Sequence, residues 1–256
     1  MAELVFFTGV MESGKSTLAL QLDHTMTAGG RRGAVFTCDD RSGRPIVTSR
    51  LGLAREAVEV TDDFDFWHHV IGSLTRGDRV EYLICDEAQF YRPGHVDQLA
   101  RIVDDLAIDV YAFGLLTDFR TRIFPGSRRL VELADRIETL QVTPLCWCGA
   151  KGTTNTRTLD GYIVTEGDQK VVGDVALEGT DSADGGSIAY EVLCRKHHRN
   201  GITRKVVALG SAPEPLPFAP DQDALTPAGR PSGLPSSVPG ASASARQASV
   251  PTQQRG

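Results

Sequence analysis

The sequence has no apolar run approaching the roughly 20 residues that span a bilayer. Its opening stretch, MAELVFFTGV, has no basic segment ahead of the apolar residues. A membrane anchor and a cleaved export signal are therefore not expected, and the expectation is a soluble, cytoplasmic protein. A basic excess is also missing: 27 Lys and Arg stand against 33 Asp and Glu, a net charge of −6. That argues against nucleic acid or an anionic membrane as partner and leaves room only for a local basic cleft. Cysteine is scarce and odd in number, five in 256 residues, with three of the five in two tight groups. Without an export signal, that pattern suits reduced thiols and a bound metal better than disulfides. Internal repeats are absent. What remains is a chain of 41% hydrophobic content, enough for one well-buried core or one core plus a small satellite.

Composition divides the chain. From about Ser211 onward it carries nine of the 13 prolines and is otherwise mostly Ala, Ser, Gly and Gln. Such a segment buries too little apolar surface to offset chain entropy, which predicts a disordered tail. Residues 1–143 alternate between two patterns. LVFFTG (4–9), GAVFTC (33–38), VEYLICD (80–86), DVYAFGL (109–115) and IETLQVT (137–143) read as strands apolar on both faces. Helical patterns begin at Lys15, cover 64–74 with Asp62 or Asp63 as N-cap, and cover 95–107. This alternation predicts an α/β open, mostly parallel sheet. Residues 144–210 run from PLCWCGAKG through a Gly/Thr/Asp-rich stretch to YEVLCRKHHRN. With little apolar content, that segment needs a staple to fold, and a metal is one.

GVMESGKS, residues 9–16, fits G-x-x-x-x-G-K-[ST] and is followed by Thr17. It follows a strand and opens a helix, the setting in which this motif binds phosphate. Gly9 and Gly14 let the backbone turn and approach an anion, while Val10, Met11, Glu12 and Ser13 supply loop N–H groups. Lys15 would reach the β- and γ-phosphates and the Ser16 hydroxyl would coordinate Mg²⁺. The chain is thus expected to bind a nucleoside triphosphate.

YLICDEAQFY, residues 82–91, places two carboxylates at the end of an apolar strand. Asp86 stands where a second Mg²⁺-binding carboxylate belongs, acting through water. Glu87 is then free to orient an attacking water or to take a proton from an acceptor hydroxyl. DEAQ is similar to a helicase box, but no second ATPase unit follows and the chain is acidic. Phe90 and Tyr91 come directly after Glu87. GLLTDFRTRIFPGSR (114–128) adds Phe119 and Phe124 after the next strand, at the sheet end where open-sheet sites lie. Aromatic faces beside a catalytic carboxylate suit a stacked nucleobase. Arg120 and Arg122 are candidates to steady phosphate charge, or are simply solvated. Cys38 and Cys85 read as core residues, and His68 and His69 as ordinary helix residues.

FTGVMESGKST, DEAQF, GLLTDFRTRIFPGS, CWCGAKGTTNTR and YEVLCRKHH, in that order across about residues 3–205, resemble the zinc-containing type II thymidine kinases of bacteria and the animal cytosol. The resemblance implies a RecA-like P-loop α/β domain (1–143), a zinc-stapled lasso domain (144–206) and a Pro/Ser/Ala-rich tail (207–256). It implies ATP-dependent 5′-phosphorylation of thymidine, and more weakly of deoxyuridine, in nucleotide salvage. Glu87 matches the family's general base and Asp86 its Mg²⁺-site carboxylate. Met11, Phe90, Leu115, Phe119, Phe124 and Tyr190 match the thymine pocket. Asp39 and Arg41 fall near the phosphates, and Gln89 near the nucleotide. Val172 and Gly173 begin a segment whose backbone would read the base, although an acidic insertion before Tyr190 departs from the family. Cys146, Cys148, Cys194 and His197 match a structural Zn²⁺ site, with C-x-C in place of the usual C-x-x-C. His198 stays an alternative to His197. A homotetramer inhibited by thymidine triphosphate is implied too. Two rival readings remain, a regulatory ATPase with a zinc interaction module and a kinase for another deoxynucleoside.

Overall fold

The protein is described here by a computed structural model covering residues 1–38, 46–49, 51–167, 169, 180–181 and 187–210. Asp39, Arg41, Val172, Gly173 and the tail from 211 lie outside the described residues. In chain order the elements are β1 (Leu4–Thr8), α1 (Lys15–Ala28), β2 (Gly33–Thr37), β3 (Ile46–Thr48), β4 (Ala54–Glu56), β5 (Val58–Glu59) and α2 (Phe66–Thr75). There follow β6 (Tyr82–Cys85), α3 (Pro93–Leu106), β7 (Asp109–Gly114), α4 (Pro125–Leu133) and β8 (Arg136–Thr139). The last group is β9 (Thr154–Leu159), β10 (Tyr162–Ile163), β11 (Thr180–Asp181), β12 (Ser187–Leu193), α5 (Arg195–Arg199) and α6 (Arg204–Ala208).

Six strands form one parallel sheet in the order β5-β2-β6-β7-β1-β8. Its inner strands are apolar runs because helices cover both faces. On one face Phe36, Leu83 and Val110 pack with Phe66 of α2 and Leu99 and Ile102 of α3. On the other, Val35, Ile84 and Phe113 pack with Ala19 and Leu20 of α1. The sheet's parallel sense brings the ends of β1, β6 and β7 to one edge, so the segments following them converge there. A second, antiparallel sheet has the order β10-β9-β12-β11, and β3 and β4 form a separate hairpin.

Several expectations are corrected. The N-cap of α2 is Asp65, whose carboxylate accepts from His68 N–H at 2.8 Å; Asp62 instead pairs with Arg92. Phe64 precedes the helix, and its ring packs edge-on to Phe36 at 5.9 Å. The last strand of the main sheet is Arg136–Thr139 and all four of its residues are exposed, so it is an edge strand and not one covered on both faces. Arg136 pairs with Glu3 and Glu138 there, and charge along an edge discourages further strand pairing. Helix α4 occupies a stretch read only as loop. Residues 144–210, to which the sequence pattern assigns no elements, hold four strands and two short helices among the described residues, and α6 runs past the expected start of the tail at 207.

Candidate active site

The loop between β1 and α1 is shaped by its glycines. A Cβ on Gly9 would lie 2.4 Å from Ser13 Oγ, so only glycine lets the loop close on itself. Gly14 takes φ 84° as the helix N-cap, a conformation open to glycine without cost. Lys15 is buried and donates from Nζ to the Val10 carbonyl at 2.9 Å. Burial pulls its pKa down, while the carboxylates of Glu87 and Asp86 pull it back up.

Strand β6 delivers the acidic pair. Asp86 is buried, and its carboxyl is pushed up to about 7, first by desolvation and then by the charge of Glu87. A hydrogen bond from the Ser16 hydroxyl opposes that rise. Glu87 turns away from the strand with φ 53° and ψ 33°, left-handed backbone that is uncommon outside glycine and concentrates at functional sites. Its N–H donates to Asp86 Oδ1 at 3.0 Å, and Gln89 Nε2 donates to its Oε2.

A cavity of about 1120 Å³ opens at this sheet edge. Met11, Glu12, Ser13, Gly14, Lys15, Ser16 and Thr17 line it on one side. Glu87, Gln89, Phe90, Leu115, Phe119, Phe124 and Tyr190 line it as well, so the phosphate loop and the expected acceptor pocket share one space. Gly9, Val10 and Asp86 do not reach its wall. Phe90 meets Phe124 edge to face at 5.6 Å. Tyr91, offered as an acceptor-side aromatic, is instead buried in the main core against Phe66 at 5.4 Å. The 3₁₀ turn Ala88–Phe90 ends there in extended backbone, which sends adjacent rings to opposite places.

Three residues of the site were not foreseen. Asn155 of β9 is buried, accepts from Met11 N–H at 2.7 Å and donates to the Thr117 carbonyl at 3.1 Å. It thereby joins the phosphate loop, the 114–128 segment and the second sheet. Arg157, also on β9 and buried, lies 3.9 Å from the Phe119 ring centroid and donates from Nε to Tyr190 Oη at 2.8 Å. Asp118 accepts from the backbone N–H groups of Arg120 and Arg122, from the Arg120 guanidinium and from Gln169 Nε2. Arg120 therefore belongs to the framework of its own loop, and Arg122 is exposed. A hint was available in GTTNTR, where an amide and a cation sit inside what proves to be a buried strand.

The Cys/His group assembles as expected. The ligand atoms of Cys146, Cys148, Cys194 and His197 lie within 4.8 Å of one another. His197 Nδ1 is 3.4 Å from Cys146 Sγ and 3.5 Å from Cys194 Sγ. Two ligands on one tetrahedral Zn²⁺, with bonds of about 2.1 and 2.3 Å, stand about 3.6 Å apart. The geometry thus fits zinc. The shortened C-x-C works because Gly149, with φ 83°, turns the chain back so that its N–H bonds to the Cys146 carbonyl at 2.8 Å. Trp147, between the two cysteines, stacks on the His197 ring at 4.1 Å. His198 faces elsewhere, with Nε2 3.2 Å from the Phe119 carbonyl oxygen. Burial raises the Cys85 thiol to about 12, in keeping with an inert core residue.

Comparison with known proteins agrees with this arrangement. A family model described as thymidine kinase matches residues 2–198. The thymidine kinases of Cutibacterium acnes and Streptomyces coelicolor are each 57% identical over 218 residues, covering 85% of this chain and 98% of theirs. That of Lactobacillus johnsonii is 40% identical over 207 residues, covering 77% and 96%.

Proposed function

The chain belongs to the thymidine kinase family, and on that premise we propose how its residues transfer the γ-phosphoryl group of ATP to the 5′-hydroxyl of thymidine. The observation that supports the reading is the different placement of the two carboxylates of one acidic pair. Asp86 is turned beneath the phosphate loop against Ser16, while Glu87 faces the aromatic cavity. Glu87 takes the proton of the 5′-hydroxyl, and that oxygen attacks the γ-phosphorus in line. Lys15 and loop N–H groups hold the phosphates, but the N–H of Met11 does not, since it donates to Asn155 instead. Ser16 and Asp86, hard oxygen donors already bonded to each other, fit Mg²⁺, which when bound offsets charge on the phosphate oxygens. Asp39 and Arg41 add contacts to the phosphates, and Gln89 contributes beside the nucleotide.

Met11, Phe90, Leu115, Phe119, Phe124 and Tyr190 hold the base, with the backbone at Val172 and Gly173 reading its polar edge. Deoxyuridine lacks the 5-methyl group and loses about 0.8 kcal/mol of apolar burial, which makes it the weaker substrate. Thymidine triphosphate carries the same base and a phosphate chain, and can inhibit by occupying both ends of the cavity. Cys146, Cys148, Cys194 and His197 hold a structural Zn²⁺, which ties the 146–148 turn to the start of α5. The enzyme works in the cytoplasm as a homotetramer in pyrimidine salvage, without nucleic acid or membrane as partner.

ADP release across a panel of nucleosides tests the assignment. Thymidine should stimulate it strongly, deoxyuridine weakly, and deoxyadenosine and deoxyguanosine not at all. Turnover indifferent to nucleosides would instead favour a regulatory ATPase. Glu87→Gln should retain nucleotide binding and lose about 10²–10⁴ in kcat; near-normal turnover would remove Glu87 from the base role.

A further inference from the structure

We propose that Gln89 is a positioning residue that sets the carboxylate of Glu87 and ties it to the wall of the acceptor pocket, a role that rests on the reading of Glu87 as the base. The side chain is 1% exposed, so both ends of its amide need partners. The orientation of that amide follows from chemistry. Leu115 N–H, 3.0 Å from one end, can only donate, so the atom it meets is the carbonyl oxygen Oε1. The other end is then the NH₂ group, and it meets Glu87 Oε2. A backbone donor thus dictates that Gln89 offers the base a hydrogen and never a lone pair.

The contact leaves the two oxygens of Glu87 unequal. Oε2 is occupied, and among the described residues Oε1 has no protein donor. Oε1 is therefore the atom available to an acceptor hydroxyl. The chain of bonds continues beyond Leu115, whose carbonyl accepts from Ser127 Oγ in the first turn of α4. Phe124, at the N-cap of that helix, lines the cavity. Ser127, Leu115, Gln89 and Glu87 thus form one hydrogen-bonded line from the aromatic wall to the base. Gly114 makes the approach possible: a Cβ there would sit 2.8 Å from Gln89 Oε1 and 3.0 Å from Gln89 N.

The function of such a line is registry. A base displaced by about 1 Å from its acceptor loses on the order of 10²-fold in rate, even where binding is intact. Gln89→Met keeps the length of the side chain and removes both bonds. It should lower kcat about 10- to 100-fold while KM for thymidine and for ATP stays within about threefold. The decisive measurement is a double-mutant cycle with Glu87→Gln. If Gln89 acts through the base, Gln89→Met placed on Glu87→Gln should cost less than about threefold more. A full, additive loss in the double variant, or a rise in KM for ATP in place of the kcat loss, would overturn the proposal. Near-normal turnover in Glu87→Gln alone would instead defeat the base reading, so the two failures are distinguishable. Should Gln89→Met not fold, Gly114→Ala disturbs the same bond from outside. It must give the same kcat-only signature and the same silence on Glu87→Gln, or the proposal fails.

Discussion

Gly126 is a place where the packing of α4 can be tested against the chemistry of Glu87. Its backbone torsions are ordinary, so its need for glycine comes from close approach alone. A Cβ at this position would lie 2.5 Å from the Tyr91 carbonyl oxygen, 2.7 Å from that of Ala88 and 3.0 Å from that of Gln89. All three are backbone atoms of the turn that carries Glu87 and Gln89, so no flexible side chain can move aside. Reaching an ordinary contact of 3.4 Å requires the turn and the helix to part by about 0.9 Å. Overpacking of this kind costs about 1–3 kcal/mol, and a rigid triple contact belongs at the upper end. At about 2–4 °C per kcal/mol for a fold of this size, Gly126→Ala should lower Tm by about 6–12 °C. If Glu87 is the base proposed above, the same displacement carries it away from the acceptor, and kcat should fall by about 10- to 100-fold. Gly94→Ala is the control. It lies in the first turn of α3 with nothing within 4 Å of a Cβ, and should leave kcat alone and gain about 0.5 kcal/mol. Thermal denaturation and steady-state kinetics on both variants decide the matter. A Gly126→Ala protein within about 1 °C and twofold of the parent would refute the argument from close approach.

Elemental analysis should find about one Zn per chain, lost in Cys194→Ser together with several degrees of Tm, because the site joins the 146–148 turn to α5; metal-free protein of undiminished Tm would contradict it. Glu191 supplies a pH test. Burial raises its pKa, against a hydrogen bond from Arg204 N–H and the Arg204 charge, and its Oε1 is buried without a partner. A carboxyl with a raised folded-state pKa favours the fold at low pH, and that contribution is lost as pH rises through the folded value. Glu191→Gln should therefore have the higher Tm at pH 8, with the gap closing as pH falls toward the unfolded pKa of about 4.5. A gap constant with pH would mean that the ionised side chain is not penalised.

Much of the main sheet was legible because burial on both faces leaves a plain mark. Strands β1, β2, β6 and β7 read as apolar runs for the reason that helices cover them on each side. Where burial is achieved by other means the mark disappears. Strand β9 is buried over Thr154–Thr158, yet its residues are Thr, Asn, Thr, Arg and Thr. Hydrogen bonds to Met11, Thr117 and Tyr190 satisfy two of those side chains, so polarity and burial coexist and no hydrophobic period appears. Helix α4 was hidden by Pro125-Gly126-Ser127, which reads as a turn. Here Pro125 serves at N1, where it lacks nothing the helix needs, and Gly126 serves close packing.

The site was legible where a motif carries its own geometry, as in the phosphate loop and the cysteine pair, and illegible where direction matters. Spacing places Phe90 and Tyr91 side by side but cannot say that one ring enters the cavity and the other the core. It places Arg120 near the pocket but cannot show that Asp118 already holds it. The same limit applies to Asp86 and Glu87. Two adjacent carboxylates on a continuing strand would point to opposite faces of the sheet, with one of them lost beneath a helix. The left-handed backbone at Glu87 prevents this. It ends the strand after Asp86, leaves that carboxylate buried against Ser16, and swings the next one into the cavity within reach of Gln89. No pattern in the chain announces a positive φ at a glutamate. That single torsion separates two neighbouring carboxylates, one buried against Ser16 and the other on the cavity wall, and the proposed roles of Asp86 and Glu87 rest on that separation.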